Sequence, residues 1–295
     1  TAPTITNMEA VTVSDEYVDT TSTIDIIGDI QASGITTVTL ANVDTTAGDD
    51  ITTGAEVLVM GAGAMTLNLG GSEAGNQSHL GGTLEVQDTG TATTDSLAIV
   101  NKALNSTTGA NVDIGDVAGA ALGKAITSTG YESVSLDTGA GSANTEQGFS
   151  TLTITPDAVA SNVSLTLTGT NAIDIISGVS TTSTGLLTIN ASGLTAQAAG
   201  TTTFDLNSTT QGTAGTATIT GSGGDDLITI GNFASTINAG AGTDVIVGGT
   251  AADTIGGDAG NDTITGSGGN DTLNGGAGND TITASTAGNY TVTGG

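Results

Sequence analysis

The chain has 295 residues and a formal net charge of −28, from 30 acidic and 2 basic residues, and it contains no cysteine. This balance argues against nucleic acid and anionic lipid as partners, because both are bound through lysine and arginine. No apolar run reaches the roughly 18 residues of a membrane span. Aromatic residues make up 2% of the chain and glycines number 47, which predicts a β-rich fold with a thin core.

Residues 1–211 have the pattern of short strands and turns. Aliphatic residues alternate with small polar ones, and each run is bounded by Gly, Asn, Asp or Ser, as in half-buried strands. The alternating residues are Val11 and Val13, Val38 and Leu40, Val57 and Val59, Met65, Leu67 and Leu69, Leu84 and Val86, Val134 and Leu136, Leu152 and Ile154, and Val163, Leu165 and Leu167. Helices are expected only at 95–104, with Asp95 as the cap, and at 117–126, and either segment could instead be irregular.

Two stretches of this region resemble each other, which suggests a duplication. NMEAVTVSD at 7–15 resembles GYESVSLDT at 130–138, and GDIQASGITTVTL from Gly28 resembles PDAVASNVSLTL from Pro156. We therefore predict two related β modules, 1–129 and 130–211, ahead of a third region at 212–295. The pattern leaves open whether these modules are solenoids or sandwiches.

A nine-residue repeat runs from Gly221 to Thr283 in seven consecutive units. The units are GSGGDDLIT, IGNFASTIN, AGAGTDVIV, GGTAADTIG, GDAGNDTIT, GSGGNDTLN and GGAGNDTIT. An aliphatic residue fills the eighth position of every unit, a regularity that a flexible Gly/Asp-rich linker has no reason to keep. The sixth position carries, in order, Asp226, Ser235, Asp244, Asp253, Asp262, Asp271 and Asp280.

Each unit predicts a turn followed by a strand. The glycine-rich half can adopt unusual backbone angles and turn its carbonyls toward one centre, and the carbonyl residues selected here are Gly221, Gly223 and Ala239. The second half is a short strand with one inward side chain. Two units complete one turn of a parallel β-solenoid, whose stacked turns lie about 4.8 Å apart. Carboxylates stacked at that spacing repel, and Ca²⁺ would join them together with backbone carbonyls, since it prefers 6–8 oxygen ligands.

The stacking rule sorts the sixth-position residues into two columns. Odd units place Asp226, Asp244, Asp262 and Asp280 in one column, and even units place Ser235, Asp253 and Asp271 in the other. Ser235 leaves the even column one carboxylate short at its start. The segment just upstream, GTAGTATIT at 212–220, keeps the register but has Ala217 at the Asp position, so we expect a first coil or cap without metal.

Two fragments of the upstream region echo the repeat. GDDI contains Asp50 and NAIDII contains Asp174, so these residues are candidates for isolated calcium sites. Turn capping by aspartate is the favoured interpretation of both.

The nonapeptide GGxGxDxUx, where U is a large aliphatic residue, resembles the calcium-binding repeat of RTX proteins. The upstream strands, with their E-x-V-x-V/L motifs and the INASGLT segment at 189–195, resemble bacterial S-layer proteins of the RTX-secreted type. The resemblance implies an all-β chain of β modules followed by a C-terminal parallel β-roll at 212–295. It further implies type I secretion, folding in extracellular calcium, a place on the bacterial cell surface, self-association into a two-dimensional lattice, and cell-surface polysaccharide as a further partner.

The sequence predicts no enzyme. His79 is the sole histidine, in a loop without HExxH, no G-x-S-x-G motif is present, and Lys102 and Lys124 are isolated. The chain begins without methionine and stops soon after the repeats, so we expect a fragment or processed product. Two alternatives to a coat protein therefore stay open: part of a large RTX adhesin, or the non-catalytic C-terminal part of a secreted RTX enzyme.

Overall fold

A computed structural model of the chain describes residues 10–15, 36–42, 55–60, 63–71, 83–88, 90–103, 125–138, 147–149, 151–170, 172–175, 178–195, 204–206, 209–210, 215–285 and 288–295. Within these residues the secondary structure consists of strands, and every strand pair is parallel. No helix in this part of the chain is long and apolar enough to cross a membrane.

The strands are short and follow one another closely. The first thirteen are β1 (Ala10–Asp15), β2 (Thr37–Asn42), β3 (Ala55–Met60), β4 (Ala64–Gly71), β5 (Thr83–Asp88), β6 (Ser96–Ala103), β7 (Ala125–Thr129), β8 (Ser133–Asp137), β9 (Gln147–Phe149), β10 (Thr151–Thr155), β11 (Val163–Gly169), β12 (Ile173–Ile175) and β13 (Val179–Thr181). They include every pair of alternating aliphatic residues named above.

The remaining twelve strands begin with the longest one and continue through the nine-residue repeat. They are β14 (Leu186–Leu194), β15 (Phe204–Leu206), β16 (Thr209–Thr210), β17 (Thr216–Thr220), β18 (Asp226–Thr229), β19 (Ser235–Ala241), β20 (Val245–Val247), β21 (Thr254–Ala259), β22 (Thr263–Thr265), β23 (Thr272–Asn274), β24 (Thr281–Thr283) and β25 (Thr291–Thr293).

Three parallel sheets make the walls of one solenoid. The long sheet has the order β1-β2-β4-β6-β8-β11-β14-β17-β19-β21-β23-β25. The upstream sheet has the order β3-β5-β7-β10-β13-β16, and the downstream sheet has the order β9-β12-β15-β18-β20-β22-β24. The sequence left the choice between solenoid and sandwich open, and parallel pairing of strands from successive coils makes the upstream region a solenoid as well.

The coils change from three strands to two where the repeats begin. Each coil from β8 to β16 contributes one strand to each sheet, whereas from β17 onward the chain alternates between the long and downstream sheets. The predicted roll of two units per turn is therefore confirmed. Of the predicted first coil or cap, the described strand Thr216–Thr220 lies inside the long sheet, because β17 pairs with β14 on one side and β19 on the other. The long sheet also runs across the predicted module boundaries at 129 and 211, which stay predictions.

The core is a set of aliphatic ladders inside the coils. Inward residues pair in register from coil to coil, as Ile189 does with Ile219 and Ile219 with Ile237. All three are fully buried, while threonines fill the outward positions, where a β-branched side chain suits the pleat. Tertiary placement overrides the predicted helix at 95–104, because Ser96–Ala103 is β6 and its Leu97 and Ile99 are buried in this ladder. Of the second predicted helix, 117–124 lies outside the described residues, and the chain from Ala125 is β7.

The turns of the roll depend on glycines that stack on one another. Gly242, Gly260 and Gly278 occupy the fourth position of the odd units and have φ values of 136°, 146° and 140°. A Cβ atom on Gly260 would overlap the carbonyl oxygen of Gly242 in the preceding coil. Gly223, in contrast, has open space on its Cβ side.

We predict that Gly260→Ala destabilises the calcium-loaded roll by about 1–3 kcal/mol, because alanine brings both an unfavourable positive φ and an overlap with the neighbouring coil. Gly223→Ala is the matched control and should change stability by less than about 0.5 kcal/mol. Urea unfolding followed by circular dichroism measures both. Equal midpoints for the two variants would contradict this account of the turn.

Candidate metal centre

The sixth-position residues stand at the starts of the strands of the roll, in two columns as predicted. Asp226 is the first residue of β18, and Asp244, Asp262 and Asp280 directly precede β20, β22 and β24. Ser235 is the first residue of β19, and Asp253 and Asp271 directly precede β21 and β23. The odd column therefore lies along the downstream sheet and the even column along the long sheet. Each column has one member per coil.

One oxygen of each aspartate ties two coils together. The Oδ1 atoms of Asp244, Asp262 and Asp280 accept hydrogen bonds from the backbone N–H of the column residue 18 positions earlier, at 2.8, 2.9 and 3.0 Å. In the even column Asp253 accepts in the same way from Ser235, and Asp271 from Asp253, both at 2.9 Å. The aspartate side chain thus takes the place of a backbone carbonyl as the hydrogen-bond acceptor between adjacent coils, at the point where the coil turns.

The second oxygen of four aspartates has no hydrogen-bond partner among the described residues. These are the Oδ2 atoms of Asp244, Asp262, Asp271 and Asp280, all buried. A buried carboxylate oxygen without a partner is costly, because it has lost its water and gained nothing in exchange. Such an oxygen is also what a metal ion binds.

A carbonyl oxygen from the next coil faces the same place. A Cβ atom built on Gly257 would contact Asp262 Oδ2 and lie 2.6 Å from the carbonyl oxygen of Gly275. The corresponding position over Gly248 lies 3.2 Å from Asp253 Oδ2 and 2.8 Å from the carbonyl oxygen of Gly266. Glycine at the first position of the unit therefore leaves a space lined by a carboxylate oxygen and a backbone carbonyl.

The predicted first-position residues Gly221 and Ala239 lie at such a space together. A Cβ atom on Gly221 would meet both Asp226 Oδ2 and the carbonyl oxygen of Ala239. Gly223 is exposed and has no atom within 4 Å of its Cβ side, so it makes no such contact, and its part in the site stays a prediction. Ala239 itself is buried, and it carries a methyl group at the position that is bare in the glycines. The space beside Asp244 is thus narrower than the space beside Asp262.

The charge of these columns needs a cation from outside the chain. Residues 212–295 contain no lysine, arginine or histidine, so no side chain of the roll can pair with the carboxylates. Ca²⁺ takes 6–8 oxygen ligands from carboxylates and backbone carbonyls in flexible geometry. The residues present fit that ion: Asp244, Asp253, Asp262, Asp271 and Asp280 supply carboxylates, and the first-position residues supply carbonyls.

Two column aspartates have both oxygens hydrogen-bonded: Asp253, whose Oδ2 accepts the N–H of Gly249 at 3.2 Å, and Asp226, the first aspartate of the odd column. Its Oδ2 accepts the N–H of Ser222 at 2.6 Å, and its Oδ1 accepts the Ser222 hydroxyl at 2.6 Å and the N–H of Phe204 at 3.1 Å. Both oxygens are already bonded, which favours a weaker metal site at this end of the column. Sequence reasoning missed the part played by Ser222.

The even column ends on a tyrosine. Tyr290 directly precedes β25, where the next aspartate would stand, and its ring lies 3.3 Å from the Cβ position of Gly266. It is half-buried, packs against the core and donates from its hydroxyl to the carbonyl of Ser267 at 3.4 Å. The column therefore closes with an apolar ring where a further metal ligand would otherwise follow.

Burial raises the pKa of four of the column carboxyls above the ordinary 3.8. It is the largest cause of the shift, and it brings the pKa of Asp244 to about 7 and the pKa values of Asp226 and Asp253 to about 6. The pKa of Asp262 is raised for the same reason. Neighbouring carboxylates add to the effect, as Asp226 and Asp262 do for Asp244.

The upstream candidates stand apart from these columns. Asp174 pairs in register with Asp205, one residue out of step with the column, because Phe204 is the residue that aligns with Asp226. Its side chain therefore points to the opposite face of the sheet from the column position. Asp50 and His79 lie outside the described residues.

Asp262 belongs to two stacked pairs and, unlike Asp244, lies beside a first-position glycine. We therefore predict that Asp262→Ala weakens calcium binding most among single substitutions of column residues, by roughly tenfold or more. Ser235→Asp supplies the carboxylate that the even column lacks and is expected to tighten binding. Isothermal titration calorimetry of the full chain with calcium measures the affinities. Asp258→Asn is the control, since it removes one charge at an exposed position whose φ of 73° asparagine tolerates. Equal affinity for all these variants would contradict the column arrangement.

The raised pKa values predict that acid stabilises the calcium-free roll. Their folded values lie above the unfolded value of 3.8, so between about pH 4 and pH 7 the folded state binds more protons, and stability rises as the pH falls. In excess chelator, where the roll is unfolded near neutral pH, its β content should rise from pH 8 to pH 5. Calcium affinity should fall over the same range, because protons compete with the ion. Circular dichroism in excess chelator measures the first effect, and an equal β content at pH 8 and pH 5 would refute it.

Comparison with known proteins shows that the repeats match a family of calcium-binding repeats. The family model for the RTX calcium-binding nonapeptide repeat (4 copies) matches residues 211–229, 231–255 and 247–282. A search of curated proteins and a search of solved structures found no match to the chain. RTX repeat proteins are typically secreted. The chain thus carries RTX calcium-binding repeats, and calcium is the cofactor of its β-roll.

Proposed function

We propose that the chain is a structural subunit of an extracellular surface (S-) layer that folds and assembles in a calcium-dependent way. The observation that carries the proposal is the column of buried carboxylates in a region without any cationic side chain. Until cations bind, self-repulsion opposes the compact state. Extracellular sites of this kind bind calcium with dissociation constants of roughly 10⁻⁴–10⁻³ M, so the roll folds outside the cell and stays unfolded in calcium-poor cytosol, ready for type I secretion.

A regular outer face of the long sheet supports lateral assembly. Nine adjacent strands carry a serine or threonine at the same register position, and neighbours in this row pair directly. The row consists of Ser96, Ser133, Ser164, Thr188, Thr218, Thr236, Thr254, Thr272 and Thr291. Short hydroxyl side chains in a regular row let a second copy approach closely and exchange hydrogen bonds. This is the surface we assign to contacts between subunits.

A coat protein has no need of a catalytic centre, and we propose that this chain has none. Its sequence offers a single histidine and no cysteine for proton transfer or nucleophilic attack. The carboxylates that are buried in the roll are bound to backbone N–H groups and face the metal positions. We assign them to calcium binding and folding.

Electron microscopy in negative stain tests the proposal. The full chain in several millimolar calcium, a concentration chosen above the expected dissociation constants, should form ordered sheets, and excess chelator should disperse them. Asp262→Ala should raise the calcium concentration needed for assembly, whereas Asp258→Asn should not. Dispersed particles in both conditions, with sedimentation of a monomer, would overturn the coat assignment and favour an adhesin or an enzyme fragment.

A further inference from the structure

Carboxylates also gather at one corner of the solenoid outside the repeats. Asp88 ends β5, Asp95 directly precedes β6, and Asp157 follows β10. One oxygen of each of these three residues lies within 4.8 Å of the others. Glu132, directly before β8, is buried beside them. All four residues stand where the upstream sheet passes into the long sheet, in three consecutive coils.

Two of these carboxylates have a buried oxygen without a hydrogen-bond partner among the described residues. Asp95 is 3% exposed; its Oδ1 accepts the N–H of Gly63 at 2.8 Å, and its Oδ2 has no partner. Asp88 Oδ1 accepts the N–H of Gly90 at 2.7 Å, and its Oδ2 is likewise buried and unpartnered. These are the same features that mark the metal-binding aspartates of the roll.

Gly130 opens the space between the carboxylates. It lies in the middle of the three coils with a φ of 89°, and a Cβ atom there would lie 2.7 Å from the Cβ of Asp88 and 3.3 Å from Asp157 Oδ1. Any other residue would fill this space and push Asp88 and Asp157 apart. Glycine lets the carboxylates of the first and third coil approach each other across the second.

Glu132 holds the cluster in place from the middle coil. Its Oε2 accepts the N–H of Asp95 at 3.2 Å, and its Oε1 accepts the N–H of Asp157 at 3.1 Å. Both oxygens are thereby used on the backbone of two cluster residues from the coils on either side. Glu132 is therefore a positioning residue.

One basic residue, Lys102, belongs to the described part of the chain, and it lies far from the cluster. It is seven residues beyond Asp95 along β6, about 23 Å away in an extended strand, while Lys124 lies outside the described residues. Burial, with further contributions from Asp95 and Asp157, raises the pKa of Asp88 to about 6. Three carboxylates at this distance repel unless a cation lies between them.

We propose that Asp88, Asp95 and Asp157 bind a calcium ion that clamps three consecutive coils of the upstream solenoid. Oxygens on opposite sides of Ca²⁺, at 2.3–2.6 Å each, lie up to about 5 Å apart, whereas those around Mg²⁺ lie at most about 4.2 Å apart. The three oxygens here lie within 4.8 Å of one another, so a single Ca²⁺ can bind all three. Asp157 is exposed, so the ion reaches the site from solvent and water completes its coordination. This site does not depend on the coat assignment or on the repeats.

Terbium luminescence tests this site separately from the roll. Tyr131 is buried next to Glu132, and its pKa is raised by burial and by Asp88 and Asp95, which places its ring near the cluster. In the full chain with Tyr17→Phe and Tyr290→Phe, Tyr131 is the one remaining tyrosine. Terbium should then emit on tyrosine excitation, and calcium should displace it more effectively than magnesium.

Substitutions decide which residues hold the ion. Asp95→Asn should abolish the Tyr131-sensitised emission, and Asp157→Asn should weaken terbium binding about tenfold, because the number of ligand charges sets the affinity. Asp262→Asn, in the roll, should leave this emission unchanged. Asp157 is exposed, so its variant decides the outcome even if Asp95→Asn fails to fold, as circular dichroism would show. Absence of emission in the parent, or unchanged terbium affinity in Asp157→Asn, would overturn the site.

Discussion

The roll is organised around carboxylates that stack on carboxylates. Each column aspartate uses one oxygen to accept a backbone N–H from the preceding coil, and four of the six leave the other oxygen buried without a partner. The hydrogen bond fixes the side chain in the wall of the solenoid. That position brings the next aspartate to the spacing of the sheet, where the two charges repel. Calcium relieves the repulsion, so the same side chain that closes the coil makes the coil dependent on metal.

The columns also explain why so acidic a chain can form a solenoid. A buried carboxylate is tolerated only when it is paired or neutralised. The roll contains neither lysine nor arginine that could pair with its buried carboxylates. Without a metal ion they would have to be neutralised by protonation, and the pKa values of Asp226, Asp244 and Asp253 are raised in that direction. Upstream, aliphatic ladders line the core, and among the described residues two carboxylic acids are buried there, against five in the roll. The corner at Asp95 repeats the arrangement of the roll with different spacing.

The sequence was sufficient to predict the roll, because every unit carries the aliphatic eighth residue and nearly every unit the aspartate. It did not predict the three-strand coils, since residues that meet in adjacent coils are 24, 31 or 37 positions apart, and irregular intervals leave no period to detect. An aspartate before an aliphatic run is compatible with a helix cap and with the start of a strand, so the sequence around Asp95 allows both. The burial of Asp95 directly before β6 distinguishes the strand from the helix. Ser222 satisfies Asp226, whereas Ser267, at the same position of its unit, leaves Asp271 Oδ2 unpartnered, so serine there predicts nothing by itself.

The two kinds of coil differ in how they tolerate insertions. Lengthening a coil from 18 to 37 residues costs only about 0.6 kcal/mol of loop-closure entropy, so the upstream corners can grow while the ladders keep their register. The coils of the roll cannot lengthen in this way, because a metal ion shared between two coils fixes the number of residues between its ligands. The last coil of the roll is one residue longer, with Asn270 and Asn289 pairing across 19 positions. That is the coil in which Tyr290 stands in place of aspartate, so the strict interval ends together with the metal column that requires it.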